Sequence, residues 1–282
     1  MESGLYVVAT PVGNLADLSA RARETLTAAD VVYAEDTRRT GRLLEEIGAD
    51  VPLRSLHEHN EASRLEEILG RLREGGRPAL VSDAGTPAVS DPGRRTVAAA
   101  LEAGHRVLPV PGPSAVTAAL SASGLPADRF TFLGFPPRSG GERDAWLERA
   151  AASPTTVVVF ASPRRTADLL AEWERRGLGD RACVLCRELT KLHEEVRRST
   201  VARLAGELDG RALRGEVTLV LEGAGREAAS DRPPEVEASA RRLLRRGWST
   251  RDVTDHLSEV FGVPRNAAYE TALELDEGER SG

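Results

Sequence analysis

Residues 79–93 read Ala79-Leu80-Val81-Ser82-Asp83-Ala84-Gly85-Thr86-Pro87-Ala88-Val89-Ser90-Asp91-Pro92-Gly93, and this stretch decides the fold class. A short apolar run ends at Ser82-Asp83 and breaks into a loop of small residues. Asp91 then offers a helix N-cap, with Pro92 at the first helical position, where a missing N–H costs nothing. A strand that ends in a bare-backbone loop before a helix is where open α/β sheets hold ligands, outside the carboxyl ends of the strands. Side chains this small let a ligand approach the main chain closely.

Outward from that loop the same grammar repeats. Strand-like runs fall at Leu5–Ala9, Val31–Ala34 and Arg106–Val110. Between them Arg64 to Arg73 carries Leu65, Ile68, Leu69 and Leu72 on one helical face, with Asn60 as the cap and Gly75 as the stop. Pro113 to Ser123 is a second helix, proline first and Gly124 last. Such alternation specifies a mainly parallel sheet covered by helices. After Phe130–Leu133, the Pro/Gly-rich passage Gly134 to Gly141 reads as a domain junction. A further α/β series follows, with strands at Thr155–Phe160, Ala182–Leu185 and Glu216–Leu221. Gly223 to Pro234 reads as a linker. Beyond it, Ser249 to Val260 and Arg265 to Leu275 form a helix-turn-helix pair across Phe261–Pro264. The expected division is 1–128, 129–225 and a helical tail over 226–282.

Composition excludes several classes. The chain has 282 residues, 40% of them hydrophobic and 29% charged, with a net charge of −6. No apolar run approaches the roughly 20 residues that span a bilayer, and Met1-Glu2-Ser3-Gly4 leads straight into a strand, so a cytoplasmic protein without membrane contact is expected. Cys183 and Cys186 are spaced like a metal pair but have no second pair and lie in a strand, which makes them structural. Lys191 is the only lysine, Gln is absent, and Asn occurs only at 14, 60 and 266.

Four small-residue loops follow four strands: Ala9 to Asn14, Ser82 to Pro87, Pro109 to Ala115 and Phe160 to Pro163. None is a G-x-G-x-x-G fingerprint or a P-loop. What is left is a site of backbone and small side chains suited to an adenosine-containing ligand, with no metal.

Leu5 to Asn14, Ala34-Glu35-Asp36-Thr37-Arg38, His57-Glu58-His59-Asn60-Glu61, Ser82 to Gly93, Pro111 to Ala115 and Arg187-Glu188-Leu189-Thr190-Lys191 together resemble the ribosomal RNA small subunit methyltransferase I family of the tetrapyrrole methylase superfamily. The resemblance covers about the first 225 residues in order, and the tail more loosely. It implies two successive α/β domains with the cofactor cleft between them, S-adenosylmethionine as cofactor, and a homodimer. The implied reaction is 2′-O-methylation of a cytidine ribose in 16S rRNA of the small subunit. Carried over by motif, Pro11, Val12, Asp83, Ala84, Gly85, Thr86, Val89, Ser114, Ala115, Ala161 and Leu189 would touch the cofactor. Where members show Tyr-Glu-Ser-Pro-His-Arg, this chain has Phe160-Ala161-Ser162-Pro163-Arg164-Arg165, so neither that carboxylate nor that imidazole is indispensable.

Methyl transfer from a sulfonium needs orientation, and a ribose hydroxyl needs a proton acceptor or a cation beside the developing alkoxide. The candidates are Lys191, His57, Glu58, Glu188 and Asp36. Arg38 and Arg39, with His59 and Asn60, suit the RNA substrate. Because arginine serves every other cationic task, Lys191→Arg is expected to slow the reaction about 100-fold. A tetrapyrrole C-methyltransferase or a non-catalytic RNA-binding assembly factor are the alternatives. The first would carry Gly-Gly-Asp-Pro where this chain has Ala84-Gly85-Thr86-Pro87. The tail is expected to assist docking on the ribosomal subunit.

Overall fold

A computed structural model describes residues 1–57, 59–209, 211–224, 234–263 and 265–280. The first sheet contains β1 (Leu5–Val8), β2 (Val31–Ala34), β3 (Leu53–Ser55), β4 (Pro78–Val81) and β5 (Val107–Val110), in the order β3-β2-β4-β1-β5. Every pairing is parallel. A parallel sheet is covered on both faces, which is why its central strands are continuous apolar runs. Val32, Ala34, Ala79 and Val81 pack with Ala22, Leu26 and Leu44 on one face. Leu5, Val31, Tyr33 and Leu80 pack with Ile68, Leu72 and Ala100 on the other.

The second sheet is mixed, unlike the first. Its strands are β6 (Phe130–Phe132), β7 (Thr156–Ala161), β8 (Ala182–Arg187), β9 (Glu195–Thr200) and β10 (Val217–Leu221), ordered β6-β7-β10-β8-β9. Only β6 and β7 run parallel; β7–β10, β10–β8 and β8–β9 are antiparallel. The reason is partly one of reach: the connection between β8 and β9 is too short for a crossover helix, so the chain must turn back as a hairpin. Cys183 and Cys186 lie buried in β8 as free thiols, and burial pushes the Cys186 thiol up to about 11.

Several local expectations also shift. The helix after β4 begins at Arg94, capped by Gly93 at φ +115°, so Asp91 and Pro92 lie in the preceding turn and Asp91 is free of capping duty. Asn60 takes the N-cap position of the helix Glu61–Arg73, as expected, but its side chain makes no capping hydrogen bond. Its Oδ1 accepts the His57 N–H at 2.8 Å, and its Nδ2 donates to the Ser55 carbonyl at 3.2 Å. The helix after β5 starts at Ala115 with Ser114 in the cap position, leaving Pro113 outside.

That helix, Ala115–Ser123, follows the first sheet yet packs Val116, Ala119 and Leu120 on Val158, Val184 and Val220 of the second. Both sheets therefore belong to one compact unit, residues 1–223, with 224–282 as another. Much of the passage read as a linker, residues 225–233, lies outside the described residues. The second unit holds helices Pro234–Leu244, Thr250–Phe261 and Arg265–Arg280 around Val236, Ala240, Leu243, Val253, Leu257, Ala268 and Ala272. A capping box between Ser249 and Asp252 starts its middle helix, and Gly262 at φ +65° ends it. No helix among the described residues is long and apolar enough to cross a membrane.

Candidate active site

Loops from the carboxyl ends of β1, β2, β4 and β5 meet loops at the ends of β7 and β10 around a cavity of about 480 Å³. Hydrogen bonds tie the first-sheet loops together. Thr10 and Gly85 exchange backbone bonds of 2.9 and 3.0 Å. The Thr10 hydroxyl donates to the Ser82 carbonyl at 3.0 Å, and Thr86 Oγ1 to the Pro113 carbonyl at 3.3 Å. Non-glycine residues take the left-handed region in two loops: on the wall, Ala88 (+66°) and Ser90 (+61°) flank Val89, and off the wall, Glu188 (+52°) and Thr190 (+65°) flank Leu189. Such backbone is tolerated where surrounding structure over-determines it.

Of the expected cofactor residues, Val12, Asp83, Ala84, Gly85, Thr86, Val89, Ser114, Ala115 and Ala161 line the cavity. Pro11 and Leu189 do not; Leu189 packs instead with Val116, Leu120 and Val184. Of the expected substrate residues only Arg39 reaches the wall, while Arg38, His59 and Asn60 lie elsewhere. Glu58 falls outside the described residues. Lys191, Glu188, His57 and Asp36 are off the cavity wall. The Asp36 carboxylate accepts from the Arg38 guanidinium and from the Arg38 backbone N–H, which holds the carboxyl down at about 2. His57 keeps a buried Nδ1 with no hydrogen-bond partner.

Lys191 is enclosed by charge. Its Nζ donates to Glu188 Oε1 at 2.8 Å and to Glu216 Oε2 at 3.0 Å. Partial burial pulls its pKa down, but those hydrogen bonds outweigh it and the net direction is up, so it stays an ammonium. Glu188 is held below the ordinary carboxylate range by the Lys191 bond and by the Glu216 N–H. Arg39 extends the chain, 3.9 Å from Glu216 and 3.8 Å from Asp83. These charges link loops of the two sheets along the cavity edge.

The sequence reading missed Glu35, Asp91, Phe135, Phe160 and the 215–218 segment, all of which line the cavity. Glu35 and Asp91 stand inside the quoted motifs, but one adjoins Asp36 and the other was assigned to capping. The phenylalanines had a usable signal, since aromatics make up only 4% of the chain. Their rings form a contiguous set, with centroids 4.9 Å apart for Phe132–Phe160 and 5.3 Å for Phe135–Phe160.

Glu35, Asp83 and Asp91 give the cavity an acidic wall. Burial, then the charges of Glu35 and Asp83, push Asp91 up to about 6 against the Ser82 hydroxyl. Glu35 is also raised, by burial and then by Asp83. Among the described residues no group of three or more His, Cys, Asp or Glu is arranged to hold a metal ion. The wall combines these carboxylates with Arg39 and the apolar rings of Phe135 and Phe160.

The family model of tetrapyrrole (corrin/porphyrin) methylases matches residues 4–205. A ribosomal RNA small subunit methyltransferase I of Escherichia coli O157:H7 is 42% identical, over 96% of this chain and 94% of its own. The protein of that name from Mycobacterium bovis is 41% identical, over 97% and 96%. Among solved structures, a uroporphyrin-III C-methyltransferase of Thermus thermophilus superposes with TM-score 0.58 at 24% identity, covering 79% of this chain and 94% of that one. A cobalt precorrin-4 methyltransferase gives 0.60 at 21%, covering 77% and 94%. At those identities the structures speak to the fold alone.

Proposed function

The chain belongs to the tetrapyrrole (corrin/porphyrin) methylases, and from that membership we propose that it is a methyltransferase that uses S-adenosylmethionine to methylate small-subunit ribosomal RNA. The finer reading is the 2′-hydroxyl of a cytidine ribose in 16S rRNA, cytidine 1402 by resemblance. The observation that carries it is similarity along nearly the whole chain to ribosomal RNA small subunit methyltransferase I proteins, tail included. A homodimer acting on the ribosomal subunit in the cytoplasm belongs to the same reading.

The cavity fits the cofactor. Its volume lies in the range of small-molecule sites, and its carboxylates complement a ligand that carries a sulfonium and an ammonium. Bound S-adenosylmethionine supplies an electrophilic methyl group. Val12, Gly85, Thr86, Ser114 and Ala115 would hold it through main chain and small side chains, and Phe160 and Ala161 would cover its apolar parts. The protein's share is to orient the hydroxyl in line and to exclude water.

Labelled cofactor offered with 16S rRNA, assembled small subunits and a uroporphyrinogen tests this reading. Label is expected in RNA, in a nucleotide that resists alkaline cleavage on its 3′ side as a 2′-O-methyl group requires. Label in the tetrapyrrole, or in RNA that still cleaves at that nucleotide, overturns it.

Two further results are expected. With Glu188 and Glu216 both in reach, a guanidinium serves as well as an ammonium. Lys191→Arg therefore keeps single-turnover methylation within about threefold of wild type, instead of the 100-fold loss suggested by the residue's rarity. Lys191→Met takes the shared cation from Glu188 and Glu216, leaving Glu216 only Arg39 at 3.9 Å, and slows it about tenfold. Removing residues 224–282 is expected to weaken rRNA methylation about tenfold while calorimetry finds cofactor affinity unchanged. Equal loss of both would make the second unit part of the cofactor site.

A further inference from the structure

We propose that the turn between the first two helices of the second unit, residues 241–251, is a docking surface for the phosphate backbone of small-subunit ribosomal RNA, with Trp248 as a platform for one unstacked base. The choice of RNA as occupant rests on the rRNA methylation reading, the surface itself on charge and geometry.

Charge is segregated there. The whole chain is acidic at −6, yet five of the eleven residues from Arg241 to Arg251 are arginine and none is Asp or Glu. Arg241, Arg242, Arg245, Arg246 and Arg251 are all exposed. Arg241 is paired with Glu237 at 2.8 Å, whereas Arg242, Arg246 and Arg251 have no carboxylate partner among the described residues. Cations in the last turn of a helix are favoured by its dipole, which accounts for Arg241 and Arg242. It does not account for Arg251, which stands in the first turn of Thr250–Phe261, the end that repels a cation. A phosphate laid against that turn removes the repulsion.

Trp248 adds a stacking surface. The other two tryptophans, Trp146 and Trp173, are 3% and 0% exposed and stack on each other in the core. Trp248 is 43% exposed, although its ring meets His256 in an edge contact with centroids 5.9 Å apart. An exposed indole among arginines is the combination that holds single-stranded nucleic acid, bases stacking on the ring while cations follow the phosphates.

The backbone fixes this arrangement. Gly247, at φ +86°, closes the first helix. Its N–H donates to the Leu244 carbonyl at 2.8 Å and the Trp248 N–H to the Leu243 carbonyl at 3.1 Å, the paired bonds of a Schellman cap. The capping box of Ser249 and Asp252 follows at once and starts the next helix. Leu243 and Val253, on either side, are buried in the three-helix core. Trp248 and its flanking arginines are thus in place before a ligand arrives, which spares the entropy cost of ordering them.

The test uses the full chain and measures affinity for naked 16S rRNA and for assembled small subunits over a range of salt. Arg242→Ala, Arg246→Ala and Arg251→Ala together are expected to weaken both affinities about tenfold and to lower the slope of log affinity against log salt by about 2, because each phosphate contact on a single strand contributes about 0.7. The corresponding triple lysine variant keeps the wild-type slope. Trp248→Ala weakens binding about fivefold with the slope unchanged, and Trp248→Phe restores it. Should Trp248→Ala disturb the fold by circular dichroism, the arginine variants, whose side chains are exposed, carry the test. Methylation at saturating subunits keeps the wild-type rate throughout, since none of these residues lines the cavity.

A triple alanine variant with wild-type affinity and slope overturns the inference, as does a lysine variant as weak as the alanine one. So does binding lost on subunits but kept on naked 16S rRNA, which would seat an acidic protein of the subunit on this surface. A wild type that methylates rRNA while the alanine variant binds it unchanged removes the surface and leaves the functional reading. A wild type that binds rRNA with the expected salt dependence but never methylates it does the reverse.

Discussion

Gly85→Leu is expected to weaken S-adenosylmethionine binding at least about 100-fold, close to 2.7 kcal/mol, in a protein that still folds. Gly85 sits at φ +81°, where a Cβ would stand 3.9 Å from Val12 Cγ2, 3.7 Å from the Pro113 carbonyl oxygen and 4.0 Å from Ser114 Cα. There is room for one carbon. The three further carbons of leucine must extend between Val12 and Ser114, both on the cavity wall. Gly85→Ala is the control, because it carries the same backbone strain of about 1–2 kcal/mol and almost none of the obstruction. Calorimetric affinities that fall equally in both variants would assign the effect to strain. An undiminished affinity in the leucine variant would move the cofactor elsewhere.

Gly93→Ala is expected to be the most damaging small change in the first sheet, at about 3 kcal/mol or more. Gly93 caps the helix Arg94–Glu102 at φ +115°, a conformation that L side chains rarely adopt. An added Cβ would stand 2.5 Å from Leu80 Cδ2. Leu80 has no space to yield, being buried with Leu5, Tyr33, Ile68 and Ala100. Overpacking of about 1–3 kcal/mol adds to the strain. Urea unfolding followed by far-UV circular dichroism should report an earlier midpoint with an unchanged slope. A midpoint matching wild type would mean that the turn relaxes freely.

The central strands were legible because each carries its own instruction: Val31–Ala34 and Pro78–Val81 are short apolar runs that only a doubly covered sheet accommodates. β3 and β9 were missed for a shared reason. Both are edge strands, paired on one side only, so Leu53-Arg54-Ser55 and Glu195 to Thr200 are largely polar and only partly buried. The small-residue loops were legible as a site because glycine, proline and alanine clusters after strands have few other uses. Asp91 was misassigned because an Asp-Pro pair before a helix reads as a cap, and nothing local reports that Gly93 takes that position.

By itself the sequence determined the alternation of strand and helix, the four loops that surround the cavity, and most of the small residues on its wall. Those are properties of stretches a few residues long, set by hydrophobic period and turn chemistry. Only the tertiary structure decided which charges meet. The Asp36 N–H finds Asp83 from 47 residues away, and Lys191 finds Glu216 from 25. Strand order and register bring such groups together, and no local pattern encodes either. It is this long-range juxtaposition that holds Lys191 as an ammonium in ion pairs and sets Asp91 beside two other carboxylates, where burial and repulsion raise its affinity for a proton.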